Sequence, residues 1–302
     1  MTSLVNRLKS SPKSTLWVTL CLLALPPLFW AGNFIVGRSV RGDIPPLTLS
    51  FDRWLIASLV LLPFTYKILR REWRLYWQYR TRIVIASITG VAAFNSLIYL
   101  GLQTTTASNA LILNSFIPLL IMLFGSLFFK LTLSAKQWLG MSISFVGVLS
   151  IISRGEWSVL TSLSFNQGDM IVFLAMVSWA IYTLVIQRMP KEINRIGLMS
   201  VQMFLGLLVV LPFYLWEVHS GALPNWNNHT LLALAYVGIV PSVLAYLLYT
   251  AGVERLGPAK VGLSIHLIPV FGVLLSIALL GESLHLYQIS GMALIFLGIL
   301  LS

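Results

Sequence analysis

The sequence predicts an all-α integral membrane protein of ten transmembrane helices, built as two inverted repeats of five helices each. Its composition, the spacing of its apolar segments and an internal repeat support this fold class. Of the 302 residues, 58% are hydrophobic and only 10% are charged, and the mean hydropathy is +0.88. Because a soluble domain carries about 25% charged residues, we expect most of this chain to lie within a lipid bilayer.

The chain repeats itself at a nearly constant spacing. Trp30-Ala31 recurs as Trp179-Ala180, and Leu62-Pro63-Phe64 recurs as Leu211-Pro212-Phe213, both at a spacing of 149. From Gly101 onwards the spacing is 151, and the matches are Gly101 with Gly252, Pro118 with Pro269, Gln137 with Gln288, Gly140 with Gly291 and Gly147 with Gly298. Glycine and proline matches carry weight because each constrains the backbone. If each copy has five spans, the second enters the membrane from the opposite side, as in many secondary transporters.

Ten apolar segments approach the length of about 20 residues that a transmembrane helix needs. They are 16–37, 46–66, 83–102, 107–129, 136–153, 169–188, 196–217, 231–251, 258–280 and 285–301. The first is longer than the apolar core of a signal peptide, about 7–15 residues, so we interpret it as an uncleaved span. The predicted organisation is a cytoplasmic N-terminus (1–15), a first repeat (16–153), an external linker (154–168) and a second repeat (169–302).

The basic residues fall on one side of these spans. With the N-terminus inside, 16 Lys and Arg residues lie inside, 3 lie outside and Arg53 lies within a span. The positive-inside rule therefore predicts that both termini face the cytoplasm, and it accounts for the net charge of +11 without a nucleic-acid partner. We expect a multi-pass protein of the bacterial cytoplasmic (inner) membrane, a monomer or weak homodimer, whose partners are a small-molecule substrate and the lipid bilayer.

Several stretches resemble the EamA family of the drug/metabolite transporter superfamily. Residues 28–38 read LFWAGNFIVGR and residues 44–64 read IPPLTLSFDRWLIASLVLLPF, close to the family's first two helices. The second copy keeps the family's Gly-Glu at Gly281-Glu282, where the first copy has Lys130-Leu131. The resemblance covers nearly the whole chain and implies a ten-span carrier. Within the family, the chain is most similar to bacterial amino-acid and metabolite exporters.

Polar and aromatic residues within the spans are the candidates for a binding site, because they usually face a bundle interior or a cavity. Trp30 and Asn33 lie one turn apart in the first span, and Trp179 and Tyr182 repeat that spacing in the sixth. We expect the two pairs to face each other across the pseudo-two-fold axis and to line the substrate cavity. Plain packing between helices is the alternative.

A second group of candidates lies in the third and eighth spans. Asn95 and Tyr99 share one face of the third span, and Tyr246 occupies the position in the second repeat that matches Asn95. Amide and aromatic groups of this kind suit a zwitterion or a flat ring. Tyrosine is also common near membrane interfaces without any binding role.

Two further candidates precede prolines. Asn114 lies four residues before Pro118, so its carbonyl lacks the usual helical partner and is a candidate acceptor for a substrate ammonium group. His266 lies within the ninth span, where a hydrogen-bonded neutral imidazole and a proton relay are the two interpretations. Its repeat mate is Ser115, which cannot titrate. We therefore expect transport that does not need a proton gradient.

Arg53 is the charged candidate. It lies near the outer end of the second span, where it either holds a substrate carboxylate or pairs with Asp43 or Asp169 as an outer gate. The structural pairing is slightly favoured.

These observations predict a secondary transporter, an exporter or facilitator of small organic metabolites that works by alternating access between the repeats. Neutral or aromatic amino acids suit the Trp, Tyr and Asn candidates best. Cationic drugs and purines or nucleobases are the alternatives, whereas phosphate-bearing substrates usually need several basic groups. The sequence shows no nucleotide-binding glycine loop and no HExxH spacing. An intramembrane enzyme is a remote alternative, a channel is a third, and we expect no catalytic residue, no metal and no cofactor.

Overall fold

The computed structural model describes residues 12–105, 110, 113–161, 166–280 and 283–301. Within these ranges the chain is helical and contains no β-strand. The longer helices are α1 Pro12–Ser39, α2 Pro46–Gln78, α3 Arg80–Gly101, α4 Ile117–Phe129, α5 Ala135–Ile152, α6 Gln167–Gln187, α7 Arg195–His219, α8 Asn228–Leu256, α9 (Pro258–Leu263, Ser264–His266 and Leu267–Leu280) and α10 Leu286–Leu301. A short helix, Trp157–Thr161, lies between α5 and α6. The Gly281-Glu282 pair lies outside the described residues.

Eight of these helices are long and apolar enough to cross a membrane, and α4 and α10 are shorter apolar helices. The all-helical membrane class predicted from composition is therefore confirmed. One boundary differs from the prediction. The basic stretch 67–82, expected as a connection, is almost entirely helical, because α2 continues to Gln78 and α3 begins at Arg80. This stretch contains five Arg and two Leu residues, which favour helix, and it contains no Gly or Pro.

The equivalent helices α2 and α7 of the two repeats run antiparallel to each other. Phe51, early in α2, stacks on Tyr214, late in α7, with ring centroids 4.3 Å apart. Their repeat mates are Ser200, early in α7, and Thr65, late in α2, which form a hydrogen bond of 3.0 Å. Each contact is the other's symmetry copy, so one repeat is inverted relative to the other.

The helices α5 and α10 repeat this relation at the edge of the bundle. A Cβ atom on Gly298 would overlap the carbonyl oxygen of Gly140, and one on Gly147 would overlap the carbonyl oxygen of Gly291. These two contacts exchange when the repeats are exchanged. The absence of side chains lets the two backbones approach closely, as small residues do at helix interfaces in membranes.

The centre of the bundle is built around α1 and α6. In one half α1 packs against α8 and α9, and in the other α6 packs against α3 and α4, their symmetry equivalents. The candidate residues on these six helices are thereby brought to one place, at the boundary between the repeats.

Both α3 and α8 contain a π-helical segment at equivalent positions, Ser87–Ala93 and Val240–Leu244. Gly90 in the first segment is the repeat mate of Pro241 in the second. A π segment breaks the regular ladder of backbone hydrogen bonds and is frequent at functional sites. Here it frees carbonyl oxygens that face the boundary between the repeats.

Polar contacts tie the two repeats together at both ends of the bundle. At the end that carries Asp43, the Asp43 end, both carboxylate oxygens of Glu217 accept backbone N–H groups at the start of α2, from Leu47 (3.0 Å) and Thr48 (2.6 Å). A carboxylate is well placed there because the N-terminus of a helix attracts negative charge. At the other end, which carries Glu254 and is called the Glu254 end, Glu72 of α2 accepts the backbone N–H of Asn194 at 3.2 Å, and the Arg188 guanidinium donates to the carbonyl of Phe129 at 2.8 Å.

Candidate functional site

The structure brings Trp30 and Trp179 into direct contact at the pseudo-two-fold axis. Their ring centroids are 5.1 Å apart and the rings are nearly perpendicular, at 88°. The Trp30 indole N–H donates to the carbonyl of Pro241 at 3.1 Å, and the Trp179 indole N–H donates to the hydroxyl of Tyr249 at 3.2 Å. Edge-to-face contacts of this kind add stability beyond the burial of area, so the pair forms a rigid wall.

Tyr246 and Tyr182 complete this aromatic cluster, with ring centroids 5.2 Å and 5.1 Å from that of Trp179. The Tyr246 hydroxyl donates to the freed carbonyl of Gly90 at 2.6 Å and accepts from the Asn95 amide at 3.1 Å. The Tyr182 ring lies directly against Gly90, where a Cβ atom would overlap it. Both tyrosines are fully buried, so they support the Trp wall from behind.

Arg53 is the centre of a hydrogen-bonded cluster beside that wall. Its side chain is buried, with 1% of its surface exposed. Its partners are the side chains of Ser242 (2.5 Å), Asn95 (2.8 Å), Tyr99 (3.0 Å) and Asn33 (3.3 Å), and at 3.5 Å the carbonyl of Pro241. The guanidinium also lies 4.9 Å from the ring of Trp54. Four of the sequence-predicted residues thus meet in one cluster.

The expected ion pair between Arg53 and Asp43 or Asp169 is wrong. None of the groups that bind the Arg53 guanidinium is a carboxylate. Asp43 instead binds Asn225, through its side chain at 3.3 Å and its carbonyl at 2.8 Å. Asp169 lies in the first turn of α6, where it completes a capping box with Asn166 and accepts the hydroxyl of Thr105. The start of a helix supplies N–H groups and a favourable dipole to such a carboxylate.

A buried guanidinium with only neutral partners leaves a positive charge uncompensated. Removing an ion from water costs several kcal/mol unless an opposite charge or full hydrogen bonding offsets it, and within a membrane the cost is higher still. Asn33 and Asn95 orient their side-chain oxygens towards this charge but carry none themselves. An anionic group brought to the edge of the cluster would therefore be stabilised.

A small cavity adjoins the cluster at the boundary between the repeats. Its walls include Trp30, Asn33, Phe94, Asn95, Asn114 and Trp179. Its volume is about 20 Å³, which is room for one water molecule. A second cavity of about 30 Å³ shares Asn33 and Ile98 with the first and continues along α1 and α3 past Tyr99 and Arg41. The structure therefore shows a nearly closed conformation with a path that leads towards the Asp43 end.

His266 lines neither of these two cavities, contrary to the prediction. Its Nδ1 lies 2.7 Å from the hydroxyl of Ser144 on α5, and its Nε2 lies 3.0 Å from the carbonyl of Ser115, just before α4. Both ring nitrogens are thus used to join α9 to the first repeat. This matches the interpretation of a hydrogen-bonded structural histidine rather than that of a cavity ligand.

Sequence reasoning missed three residues of this region. Neither Ser242 nor Phe94 belongs to a spacing pattern in the sequence that marks it as a candidate. Ser242 lies within the π segment of α8, and Phe94 directly follows the π segment of α3. Tyr249 lies three residues after Tyr246 on one face of α8, a spacing that could have found it.

Comparison with known proteins identifies the family. The profile of the EamA-like transporter family matches the chain twice, at residues 17–153 and 166–302. The chain belongs to the EamA-like transporter family. The two matches fall on the two repeats seen in the structure, so each repeat is one copy of the family domain.

Relatives of similar length are transporters. The "Uncharacterized transporter YyaM" of Bacillus subtilis is 27% identical over 90% of this chain and 89% of its own length. The "Probable amino-acid metabolite efflux pump" of Salmonella typhimurium is 27% identical over 92% of each chain. A crystal structure with a TM-score of 0.74 covers 96% of both chains at 18% identity, which supports the fold.

Proposed function

We propose that this EamA-family protein is a secondary transporter that exports or equilibrates neutral or aromatic amino acids across the bacterial cytoplasmic membrane. The observation that carries the proposal is the buried Arg53, which has no acidic partner among the described residues and lies beside a wall formed by Trp30 and Trp179. A free amino acid can place its carboxylate against Arg53 and its side chain against the two tryptophan rings.

The chemistry of the cavity fits the three parts of such a substrate. A guanidinium is the side chain best suited to a carboxylate, which it binds through paired, charge-assisted hydrogen bonds. Phe94 and Trp179, with ring centroids 4.4 Å apart, provide an aromatic surface for the substrate side chain. Asn114 lines the same cavity and its side-chain oxygen can accept a hydrogen bond from the ammonium group.

The alternative substrates fit this site less well. A cationic drug would place its charge near the positively charged guanidinium of Arg53. Purines and nucleobases fit the aromatic surface but carry no carboxylate. The relative that bears the name "Probable amino-acid metabolite efflux pump" supports the choice of amino acids.

Transport by alternating access requires both ends of the bundle to open in turn, and polar contacts between the repeats are suited to act as latches. Glu217 and Asn225 form such contacts at the Asp43 end, and Glu72 with Asn194 and Arg188 with Phe129 form them at the other end. In the proposed topology, ten spans cross the membrane with both termini in the cytoplasm, so the Asp43 end faces outwards and the Glu254 end faces inwards.

Counterflow in liposomes tests the proposed function. Purified protein is reconstituted into liposomes loaded with unlabelled L-phenylalanine, and uptake of radiolabelled L-phenylalanine is measured. We expect saturable counterflow, with little competition from phenethylamine, which lacks the carboxylate, from tetraphenylphosphonium or from adenine. Competition by tetraphenylphosphonium or adenine without any by L-phenylalanine would replace amino acids with that class of substrate.

Thiol labelling tests the proposed topology. In a Cys21→Ser background, Asn227→Cys should react with a membrane-impermeant maleimide added outside the cell, whereas Tyr76→Cys and Glu192→Cys should react only after lysis. The basis is the 16-to-3 distribution of Lys and Arg. Reaction of the Tyr76→Cys variant from outside would rule out the N-in topology. The external linker carries a second reporter position, Ser162, which lies outside the described residues.

A further inference from the structure

Two buried polar side chains near the Glu254 end have no hydrogen-bond partner among the described residues. They are Gln202 of α7, whose amide oxygen and nitrogen are both unpaired, and Tyr182 of α6, whose hydroxyl is unpaired. Both side chains are 0% exposed. Each unpaired polar group in an apolar interior costs about 1–3 kcal/mol, so groups of this kind require an explanation.

The internal repeat relates these two residues to the Arg53 cluster. Gln202 is the repeat mate of Arg53, and Tyr182 is the repeat mate of Asn33, both at the spacing of 149 that links Trp30 to Trp179. Arg53 lies seven residues into α2 from the Asp43 end, and Gln202 lies seven residues into α7 from the Glu254 end. Gln202 and Tyr182 thus occupy, in the second repeat, the positions that Arg53 and Asn33 of the hydrogen-bonded cluster occupy in the first.

Packing places both residues beside the π segment of α3. The Tyr182 ring lies against Gly90. Gly206, one turn after Gln202 on the same face of α7, lies against Val91. The helices α6 and α7 therefore flank Ser87–Ala93, as α1 and α2 flank the π segment of α8 around Arg53. The freed carbonyl of Gly90 is taken by Tyr246 in this conformation.

Packing alone does not account for a glutamine at this position. The neighbouring buried residues of α7, Met199 and Met203, are apolar, and an apolar side chain of similar size at 202 would avoid the unpaired amide. A polar side chain here gains stability only in a conformation that supplies its partner. In an inverted-repeat carrier, that conformation is the one in which the Glu254 end opens and the two repeats exchange roles.

We infer that Gln202 and Tyr182 form a second substrate subsite, which receives the polar head of the substrate when the cavity opens towards the cytoplasm. The inference rests on the transport function proposed above. The amide and the phenol are neutral and supply both donors and acceptors. They bind a zwitterion's carboxylate or ammonium group without the full charge that Arg53 offers, so the substrate is held more weakly on this side.

Two cross-links allow each end of the carrier to be closed separately. In a Cys21→Ser background, the pair Asp43→Cys with Asn225→Cys closes the outer end, since the backbone N–H of Asn225 donates to the carbonyl of Asp43 at 2.8 Å. The pair Glu72→Cys with Asn194→Cys, joined by a short bifunctional thiol-reactive cross-linker, closes the inner end, where Glu72 of the first repeat accepts the backbone N–H of Asn194 of the second at 3.2 Å.

The first measurement needs no substrate. Each protein carries one of these pairs together with Gln202→Cys. The pair is cross-linked first, and the reaction of the thiol at position 202 with a water-soluble maleimide is then followed in detergent. We expect labelling when the outer end is locked and protection when the inner end is locked. Protection in both locked states would show that position 202 never meets the aqueous cavity, and this would overturn the subsite whatever the substrate is.

The second measurement is binding of L-phenylalanine to each locked protein. Gln202→Leu and Tyr182→Phe should weaken binding about tenfold, a loss of about 1.4 kcal/mol, in the outer-locked protein, and should change it less than about twofold in the inner-locked protein. Met203→Leu, a buried apolar neighbour on α7, is the matched control and should change neither.

The outcomes separate the subsite from the transport function. An equal loss in both locked states, or no loss in either, would show that Gln202 acts through packing and would overturn the inference. If the wild-type protein binds no L-phenylalanine in either state, the proposed substrate fails, and the labelling of position 202 still decides whether the subsite opens to the cytoplasmic side.

Discussion

The two halves of the candidate site share one backbone frame but differ in chemistry. On the side of the Asp43 end, Arg53 is buried and donates hydrogen bonds to Asn33 and Asn95. On the side of the Glu254 end, the equivalent Gln202 and Tyr182 are equally buried and have unpaired polar atoms among the described residues. The same fold thus presents a charged, hydrogen-bonded cluster on one side and a neutral pair with unpaired polar atoms on the other. Symmetry of the backbone is compatible with strong asymmetry in what each side can bind.

The edge of the bundle shows the opposite behaviour. At the contact between α5 and α10, glycines occupy both members of each symmetry-related pair. Here the helices only pack, and close approach imposes the same requirement on both repeats. Close packing at this contact has therefore kept glycine in both repeats, whereas the equivalent positions 53 and 202 carry different residues.

The largest effect on transport is expected when Arg53 is replaced by glutamine, the residue at the equivalent position 202 of the second repeat. Arg53→Gln should lower L-phenylalanine counterflow at least about tenfold, since hydrogen bonds to a charged group contribute about 1.5–3 kcal/mol. Arg53→Lys keeps the charge but loses the planar fork, so it should retain intermediate activity. The thermal midpoint of each variant reports on folding, and wild-type counterflow in a folded Arg53→Gln protein would make Arg53 a structural residue.

The aromatic wall should show a smaller effect that is similar on both sides. Trp30→Ala, Trp179→Ala and Tyr99→Ala should each reduce counterflow about two- to tenfold beyond any loss of folded protein, because an aromatic contact is worth about 0.5–1.5 kcal/mol. Phe51→Leu removes a stacked ring at the α2–α7 contact, away from the cavity, and serves as the matched control. Normal transport by all three alanine variants would place the substrate elsewhere.

Substitutions at the glycine contact should affect stability and not transport. Gly298→Ala and Gly147→Ala each place a methyl group against the facing backbone, so both should lower the free energy of unfolding by about 1–3 kcal/mol. Gly272→Ala is the control, since no atom lies within 4 Å of its added Cβ. A marked difference between the Gly298 and Gly147 variants in thermal denaturation would contradict the symmetry of this contact.

The smallest effect concerns His266 and energy coupling. Because both ring nitrogens are engaged by Ser144 and Ser115, His266→Asn should destabilise the protein by about 1–2 kcal/mol and leave transport without a proton requirement. The measurement is liposome uptake at equal pH and then with an imposed pH gradient. Concentrative uptake that follows the gradient and disappears in His266→Ala would make His266 the coupling residue.

The sequence predicted part of the candidate site, and the errors concern contacts that depend on how the helices pack. Matching Trp30 to Trp179 in the sequence was enough to bring these rings together, because both lie at equivalent places in symmetric helices. The ion pair of Arg53 with Asp43 or Asp169 was wrong because each aspartate finds closer partners at a helix end. His266 was misplaced because its ring turns towards α5, a direction that depends on how α9 packs.

The sequence by itself determined that the chain is a helical membrane protein made of two related halves, because apolar length and the spacing of glycine and proline report on local backbone and burial. The tertiary structure alone decided which groups Arg53 binds, where the π segments free their carbonyls, and that Gln202 and Tyr182 have unpaired polar atoms among the described residues. These features depend on contacts between distant residues, such as Arg53 with Ser242, 189 positions apart, and Trp30 with Pro241, 211 positions apart. Only the packing of the two halves against each other can choose among the partners that such distances allow.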